Sequence, residues 1–289
     1  MNRRHFLQAT GGAAVSFTVL GLRAAETSGD EPAGLIDTNV TLGRWPLRRL
    51  PLDDTNALAA KLRKHGVTQA WAGNFDAVFG KDLRGANAWL AAECRKRGRG
   101  MFVPFGTLNP GLPGWEEELR RCIEEYRMQG VRLFPNYHSY KLDSPEFAKL
   151  FTATTERKLI LQIAASIEDE RTQNPSARAK LVDVKPLLTL LKSTPARRVM
   201  LLNWQRGLAT PLVKQLAQLG VTFEIATVEN VGGVANLAEE ISASRVVFGS
   251  HAPCFYFESA QLKLKEANLA KPALREISGQ NAARLLAPV

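Results

Sequence analysis

The sequence predicts a (β/α)8 barrel, and three observations predict it. Eight short β-rich runs recur between residues 34 and 253, amphipathic segments of helical period lie between them, and a Gly or a basic residue often precedes the next run. That count and alternation over about 250 residues is the pattern of a parallel barrel wrapped by helices. A doubly wound open sheet, the competing architecture, requires a Gly-rich phosphate turn after an early strand, and no G-x-G-x-x-G occurs.

The first run, "GLIDTNVTLG", alternates Asp37, Asn39 and Thr41 on one face with Thr38, Val40 and Leu42 on the other, until Gly43 and Pro46 break it. A strand that ends in polar side chains is not finishing a core, so Asn39 and Thr41 are expected to point into the barrel mouth. "LDDTNALAAKLRKHG" reads as the helix that returns to the second run, "VTQAWAGNF". The basic cluster "RKRGRG" marks a helix end at Gly98, where cations complement the helix dipole, before "MFVPFGTLNP". "GWEEELRRCIEEYR" and "SPEFAKLFTATTERK" are helical around the fourth run, "GVRLFPNY". "LILQIAAS" and "RVMLLNW" are the fifth and sixth runs. The helix "TPLVKQLAQLG" is expected to take Thr210 as its N-cap and Pro211 as its first residue, and to close at Gly220. "VTFEIATVE" and "SRVVFGSHAP" complete the count.

Ahead of the barrel, residues 1–25 read as a twin-arginine export signal. Arg3-Arg4 is followed by Phe6-Leu7, the short apolar run "GGAAVSFTVLGL", and a small-residue cleavage site at Ala24 or Ala25. The run is too short and too rich in Gly and Ser to span a bilayer, so no stable membrane insertion is expected after cleavage. Removing 25 of 289 residues leaves 264, and removing Arg3, Arg4 and Arg23 takes the net charge from +10 to +7. The remaining charge suits an anionic small molecule rather than nucleic acid. A periplasmic or extracellular protein that folds before export is expected to keep Cys94, Cys122 and Cys254 as free thiols. The oligomeric state is left open.

Several side chains at the run ends can carry chemistry. His251 closes the eighth run after Gly249-Ser250, where an imidazole can act as a base near neutral pH or can hold a backbone carbonyl. Arg132, in the fourth run, offers a planar fork for a carboxylate or oxyanion, or an internal ion pair with Asp37 or Glu224. Asn39, Thr41, Gln162 and Asn203 are expected to form a neutral hydrogen-bonding floor; either they satisfy one another in a dead site, or they call for an ordered water or a substrate, because an unpaired buried amide costs about 1–3 kcal/mol. Arg44, Arg48 and Arg49 add positive charge to the first mouth loop. Tyr137, His138 and Tyr140 stand on the loop "PNYHSYKLDSP", as an acid, a second base or a wall. Glu168, Asp169, Glu170 and Arg171 read as a solvated loop.

The motifs "LIDTNVTLG", "GVRLFPNYH", "VVFGSHAP" and "SGQNAARLL" together resemble the amidohydrolase-related barrels, a family of metal-dependent hydrolases, lactonases and non-oxidative decarboxylases. The resemblance runs from about residue 35 to residue 286 and implies the same fold. In that family the first strand reads Asp-x-His-x-His, so Asn39 and Thr41 stand where two metal-binding imidazoles belong. Ala164 and Asn203 stand at the positions of the fifth- and sixth-strand histidines, and His251 at that of the eighth-strand aspartate; Arg132 matches a fourth-strand basic residue. Of four histidines, His5 lies in the leader and His65 at an exposed helix end, leaving His138 and His251 near the mouth, short of three ligands. No metal and no other cofactor is therefore expected.

The resemblance then implies a hydrolase acting without the usual metal on a lactone or comparable ester of an anionic small molecule. His251 is the base, Arg132 the anion partner, His138 a second acid or base, and Asn39, Thr41, Gln162, Asn203, Arg44 and Tyr137 contact substrate. A decarboxylase is the alternative enzyme, and a catalytically inactive barrel that binds a carboxylated or sugar-like ligand is the alternative from another class. An open pocket at His251 marks the enzyme; a mouth plugged by residues 44–51 or 136–145 marks the binding or inert domain.

Overall fold

The computed structural model describes residues 34–194, 198–205 and 208–287. The leader and its cleavage site lie outside the described residues. The eight expected strands are present as β1 (Leu35–Leu42), β2 (Val67–Asn74), β3 (Phe102–Gly106), β4 (Gly130–Leu133), β5 (Ile160–Ala164), β6 (Arg198–Leu202), β7 (Thr222–Glu224) and β8 (Val246–Val247). Each pairs in parallel with the next, in chain order. The ends meet where Thr38 donates from its backbone N and its Oγ1 to the Phe248 carbonyl (3.0 and 2.8 Å) and Thr41 N donates to the Ala252 carbonyl (2.9 Å). The (β/α)8 barrel expected from the sequence is the fold observed.

Helices alternate with the strands: α1 (Thr55–Lys64), α2 (Asp76–Phe79), α3 (Leu83–Gly98), α4 (Trp115–Glu124), α5 (Pro145–Glu156), α6 (Leu187–Ser193), α7 (Thr210–Gln218), α8 (Gly233–Ile241) and, beyond β8, α9 (Phe257–Glu266), α10 (Lys271–Arg275) and α11 (Asn281–Leu286). Their starts follow local chemistry. Asp54 Oδ1 accepts from Ala57 N (2.9 Å) before α1, and Ser144 Oγ from Phe147 N (3.1 Å) before α5. At α7 the expectation fails by one residue: Ala209 holds the cap position with no side-chain acceptor, and Thr210 is already helical. α3 ends at Gly98, with Arg95, Lys96 and Arg97 in its last turn. None of the described helices is long and apolar enough to cross a membrane. All three cysteines are free.

The period-2 alternation divides the interior. Val40 and Leu42 join Leu58 and Leu62 of α1 in the large cluster between strands and helices. A second cluster fills the barrel itself, with Trp71 stacked on Phe105 at 5.0 Å alongside Ile160, Met200 and Val247. That packed plug sets the depth at which polar side chains can begin.

Candidate active site at the barrel mouth

Above the plug, Arg132 of β4 is buried with all five N–H groups directed at protein acceptors. Nε donates to Gln162 Oε1 (2.8 Å); one terminal nitrogen donates to the Val40 carbonyl (2.8 Å) and Thr41 Oγ1 (3.2 Å); the other donates to the carbonyls of Trp71 (3.0 Å) and Thr38 (3.4 Å). Gly73 of β2 makes room for this: a Cβ there would stand 2.8 Å from the guanidinium. Burial lowers the Arg132 pKa to about 9, against the opposing pull of Asp37 and Glu224. The expected fork for an anion is thus a filled guanidinium that ties β1, β2, β4 and β5 together, with no N–H left for a ligand.

Asp37 accepts from Ser250 Oγ (2.5 Å), Ser250 N (2.9 Å) and Asn39 N (3.1 Å), and Glu224 from Asn203 N (2.6 Å) and Ala226 N (2.5 Å). Burial raises Asp37 to about 6 and Glu224 to about 7, and these hydrogen bonds oppose the rise. Gly249 leaves room for Glu224, since a Cβ there would meet Glu224 Oε2 at 2.8 Å. These carboxylates hold the ends of β6 and β8, and through them Asn203 and His251.

His251 is buried, and its Nε2–H donates to the Ile167 carbonyl (2.7 Å), which leaves Nδ1 as the acceptor. Among the described residues Nδ1 accepts only from the Asn203 amide nitrogen, at a long 3.5 Å. Asn203 Nδ2 also donates to the Ser166 carbonyl (2.9 Å), and Asn203 Oδ1 accepts from Asn39 Nδ2 (2.9 Å). Burial lowers the His251 pKa to about 4, helped by Arg132 and Arg48 and opposed by the Ile167 carbonyl, so the ring is neutral at pH 7. Both His251 (φ 57°) and Asn203 (φ 52°) sit in the left-handed region. Few non-glycine residues take that conformation, Asn and His more often than most.

His251, Asn203, Asn39, Thr41 and Arg132 line one cavity of about 10 Å³, room for about one water. Phe75, Val78, Phe134 and Ile167 supply its apolar walls. Gln162 is tied down on both sides, accepting from Arg132 and donating to the Thr38 carbonyl (2.9 Å). His138 is not among the lining residues. Its Nε2–H donates to the Ala77 carbonyl (2.9 Å), and burial lowers its pKa. Its Nδ1 makes no hydrogen bond of normal geometry, although the Leu108 carbonyl stands near enough to favour the charged ring. Arg44 is exposed on the rim, away from the cavity. His65 is half-buried rather than exposed, packed on Phe257 at 5.2 Å.

Residues 44–51 close the mouth. Trp45 is buried against Phe75 (5.4 Å), Phe79 (5.2 Å) and Tyr137 (6.5 Å). The acidic loop is solvated at Glu170 and Arg171, as its charges suggest, but Glu168 is buried and accepts from Arg48 Nε (3.1 Å). Trp45 and the Asp37–Ser250 pair escaped sequence reading as site residues. Trp45 had a signal, an aromatic held between the breakers Gly43 and Pro46.

The amidohydrolase family model matches residues 40–287, and the chain belongs to that family. Among solved structures, 2,6-dihydroxybenzoate decarboxylase from Rhizobium matches with a TM-score of 0.65 at 14% identity, covering 88% of this chain and 98% of that one. Dihydroxybenzoic acid decarboxylase from Polaromonas sp. JS666, with bound manganese and the inhibitor 2-nitroresorcinol, matches at 0.67 and 15%, covering 88% and 96%. The 5-carboxyvanillate decarboxylase from Sphingomonas paucimobilis matches at 0.66 and 15%, covering 88% and 99%. At these identities the likeness establishes the shared barrel. No curated protein matches the chain.

The residues here do not fit a metal ion such as the manganese of the Polaromonas structure. At the positions the resemblance assigns to ligands stand two amides, a hydroxyl and an alanine, and the one imidazole gives its Nε2 to a backbone carbonyl. Among the described residues no three His, Cys, Asp or Glu side chains are grouped to hold a metal.

Proposed function

We propose that this amidohydrolase-family chain is a metal-independent hydrolase of an activated ester or lactone, with His251 as the base. One observation carries the reading: the Nδ1 of a neutral, buried imidazole, met only at a long 3.5 Å by the Asn203 amide, borders a cavity the size of one water. Backbone strain kept at a cavity-lining His is the kind that function retains.

In the proposed reaction Nδ1 takes a proton from the water as its oxygen attacks the acyl carbon. The Ile167 carbonyl steadies the resulting imidazolium through Nε2–H. Asn39 Nδ2, which gives one N–H to Asn203, directs its second at the developing oxyanion. The acyl–oxygen bond then breaks, and the imidazolium returns its proton to the departing alkoxide. A base whose conjugate acid titrates near 4 is weak, so the substrate must have an activated carbonyl. Arg44, exposed on the rim, and Arg48 favour an anionic substrate. Export by the twin-arginine route belongs to the same reading.

His251→Asn removes the base while keeping a residue that accepts the backbone conformation. It is expected to lose about 10²–10⁴-fold in turnover on a lactone and ester panel. An active parent indifferent to this change would sink the proposal.

A second reading has its own support. The mouth closed by residues 44–51, the small cavity and the filled guanidinium of Arg132 favour a non-catalytic barrel, and that reading requires a parent inactive across the panel. The decarboxylase reading rests on the neighbours' names, and aromatic carboxylates in the panel test it.

A further inference from the structure

A cavity of about 10 Å³ admits water and excludes any ester, so a hydrolase at His251 needs a mouth that opens. Residues 43–54 form neither helix nor strand, yet Trp45 and Leu50 are buried while Arg44, Pro46, Arg48 and Arg49 between them face outward. The segment therefore lies across the mouth with an apolar underside and a charged back.

Three features distinguish it from a permanent plug. Among the described residues its one ion pair to the far side is Arg48 Nε to Glu168 Oε1 at 3.1 Å, which joins the loop after β1 to the loop after β5. The Arg48 side chain is 46% exposed, so water competes for that bond, whereas Glu168 is buried. Its seat is incomplete: Trp45 Nε1 and Tyr137 Oη are buried without a hydrogen-bond partner, and the two rings pack edge to face at 6.5 Å. A closed seat with two unpaired donors is one that incoming water or a ligand acceptor improves. Behind the segment lies a cleft of about 480 Å³ between Arg48, Pro51 and Leu52 on one side and Cys254 and Tyr256 on the other. The segment has space to move into.

We propose that residues 43–53 are a lid over the His251 cavity, latched by Arg48 to Glu168, and that opening exposes Trp45 Nε1 and Tyr137 Oη as donors to the entering ligand. The proposal rests on the His251 cavity being the working site. Its test uses no substrate, so a failed lid and a failed catalytic reading give different results.

Hydrogen exchange read by mass spectrometry on the parent, Arg48→Gln, Glu168→Gln and the double variant tests the latch. Each single variant is expected to exchange severalfold faster over 43–53 and 250–256, with 115–124 on α4 unchanged. The double variant should exchange no faster than the singles, since one bond is lost in all three. Unchanged exchange over 43–53, or an equal rise over 115–124, would overturn the lid.

Discussion

At the residue scale, the chemistry of the mouth turns on what each polar side chain still has free. Arg132 has nothing free. Its five donors hold carbonyls and side chains on β1, β2 and β5, so its replacement is expected to act on the fold. Arg132→Met should lower stability by several kcal/mol, at about 1–3 for each buried acceptor left unpaired, and Arg132→Lys by somewhat less. Urea unfolding measures this, and a variant as stable as the parent would contradict it. His251 has one nitrogen held only by a long contact from Asn203, and burial puts its folded pKa, about 4, below the ordinary 6.5. A depressed imidazole contributes stability that is full above pH 6.5 and is lost as pH falls through 4. Asp37 and Glu224 work the other way: their raised values favour the fold below pH 4 and less as pH rises through 6 and 7. Because both carboxylates remain in His251→Asn, the parent-minus-variant difference isolates the ring. That difference should shrink by about 3 kcal/mol between pH 7 and pH 4. A difference independent of pH would mean the ring is not held neutral. From the sequence, His251 was legible as a base or a carbonyl holder, and the structure shows the carbonyl contact on Nε2 with Nδ1 left over. Nothing in the sequence tells that Arg132 finds all its partners within the protein, because all five of its acceptors lie on other strands and three are backbone.

At the element scale, the strands were legible because their apolar runs are short, β-rich and evenly spaced. Asp54 and Ser144 supply the cap oxygens that start α1 and α5, and the one cap read from the sequence, Thr210, missed by one residue at α7, where Ala209 supplies no acceptor. The mouth loops were harder. A charge run such as 168–171 reads as solvated, but Arg48, 120 residues away in sequence, draws Glu168 under cover. Likewise "GRWP" reads as a turn, and only the packed neighbours Phe75, Phe79 and Tyr137 make Trp45 a closure. The element that holds the site most tightly is β2 against β4 at Gly73. Gly73→Ala places a methyl 2.8 Å from the Arg132 guanidinium and 3.1 Å from its Cδ. Overpacking of this kind costs about 1–3 kcal/mol, and a melting temperature equal to the parent's would show that Arg132 moves aside freely.

At the scale of the whole molecule, an amidohydrolase-family barrel has kept its architecture while the positions that resemble metal-ligand sites carry Asn39, Thr41, Ala164, Asn203 and His251. In the proposed reading an internal cation, Arg132, lies beside the buried Asp37 and Glu224, and an imidazole supplies the base. The most direct test is the pH dependence of kcat/KM for lactone hydrolysis by protein treated with chelator. Activity that survives chelation, rises with a midpoint near pH 4 and is flat from about pH 5 upward is expected, because kcat/KM reports the free enzyme's base. Activity abolished by chelator and restored by manganese, or a midpoint near 6.5, would contradict a buried, metal-free His251.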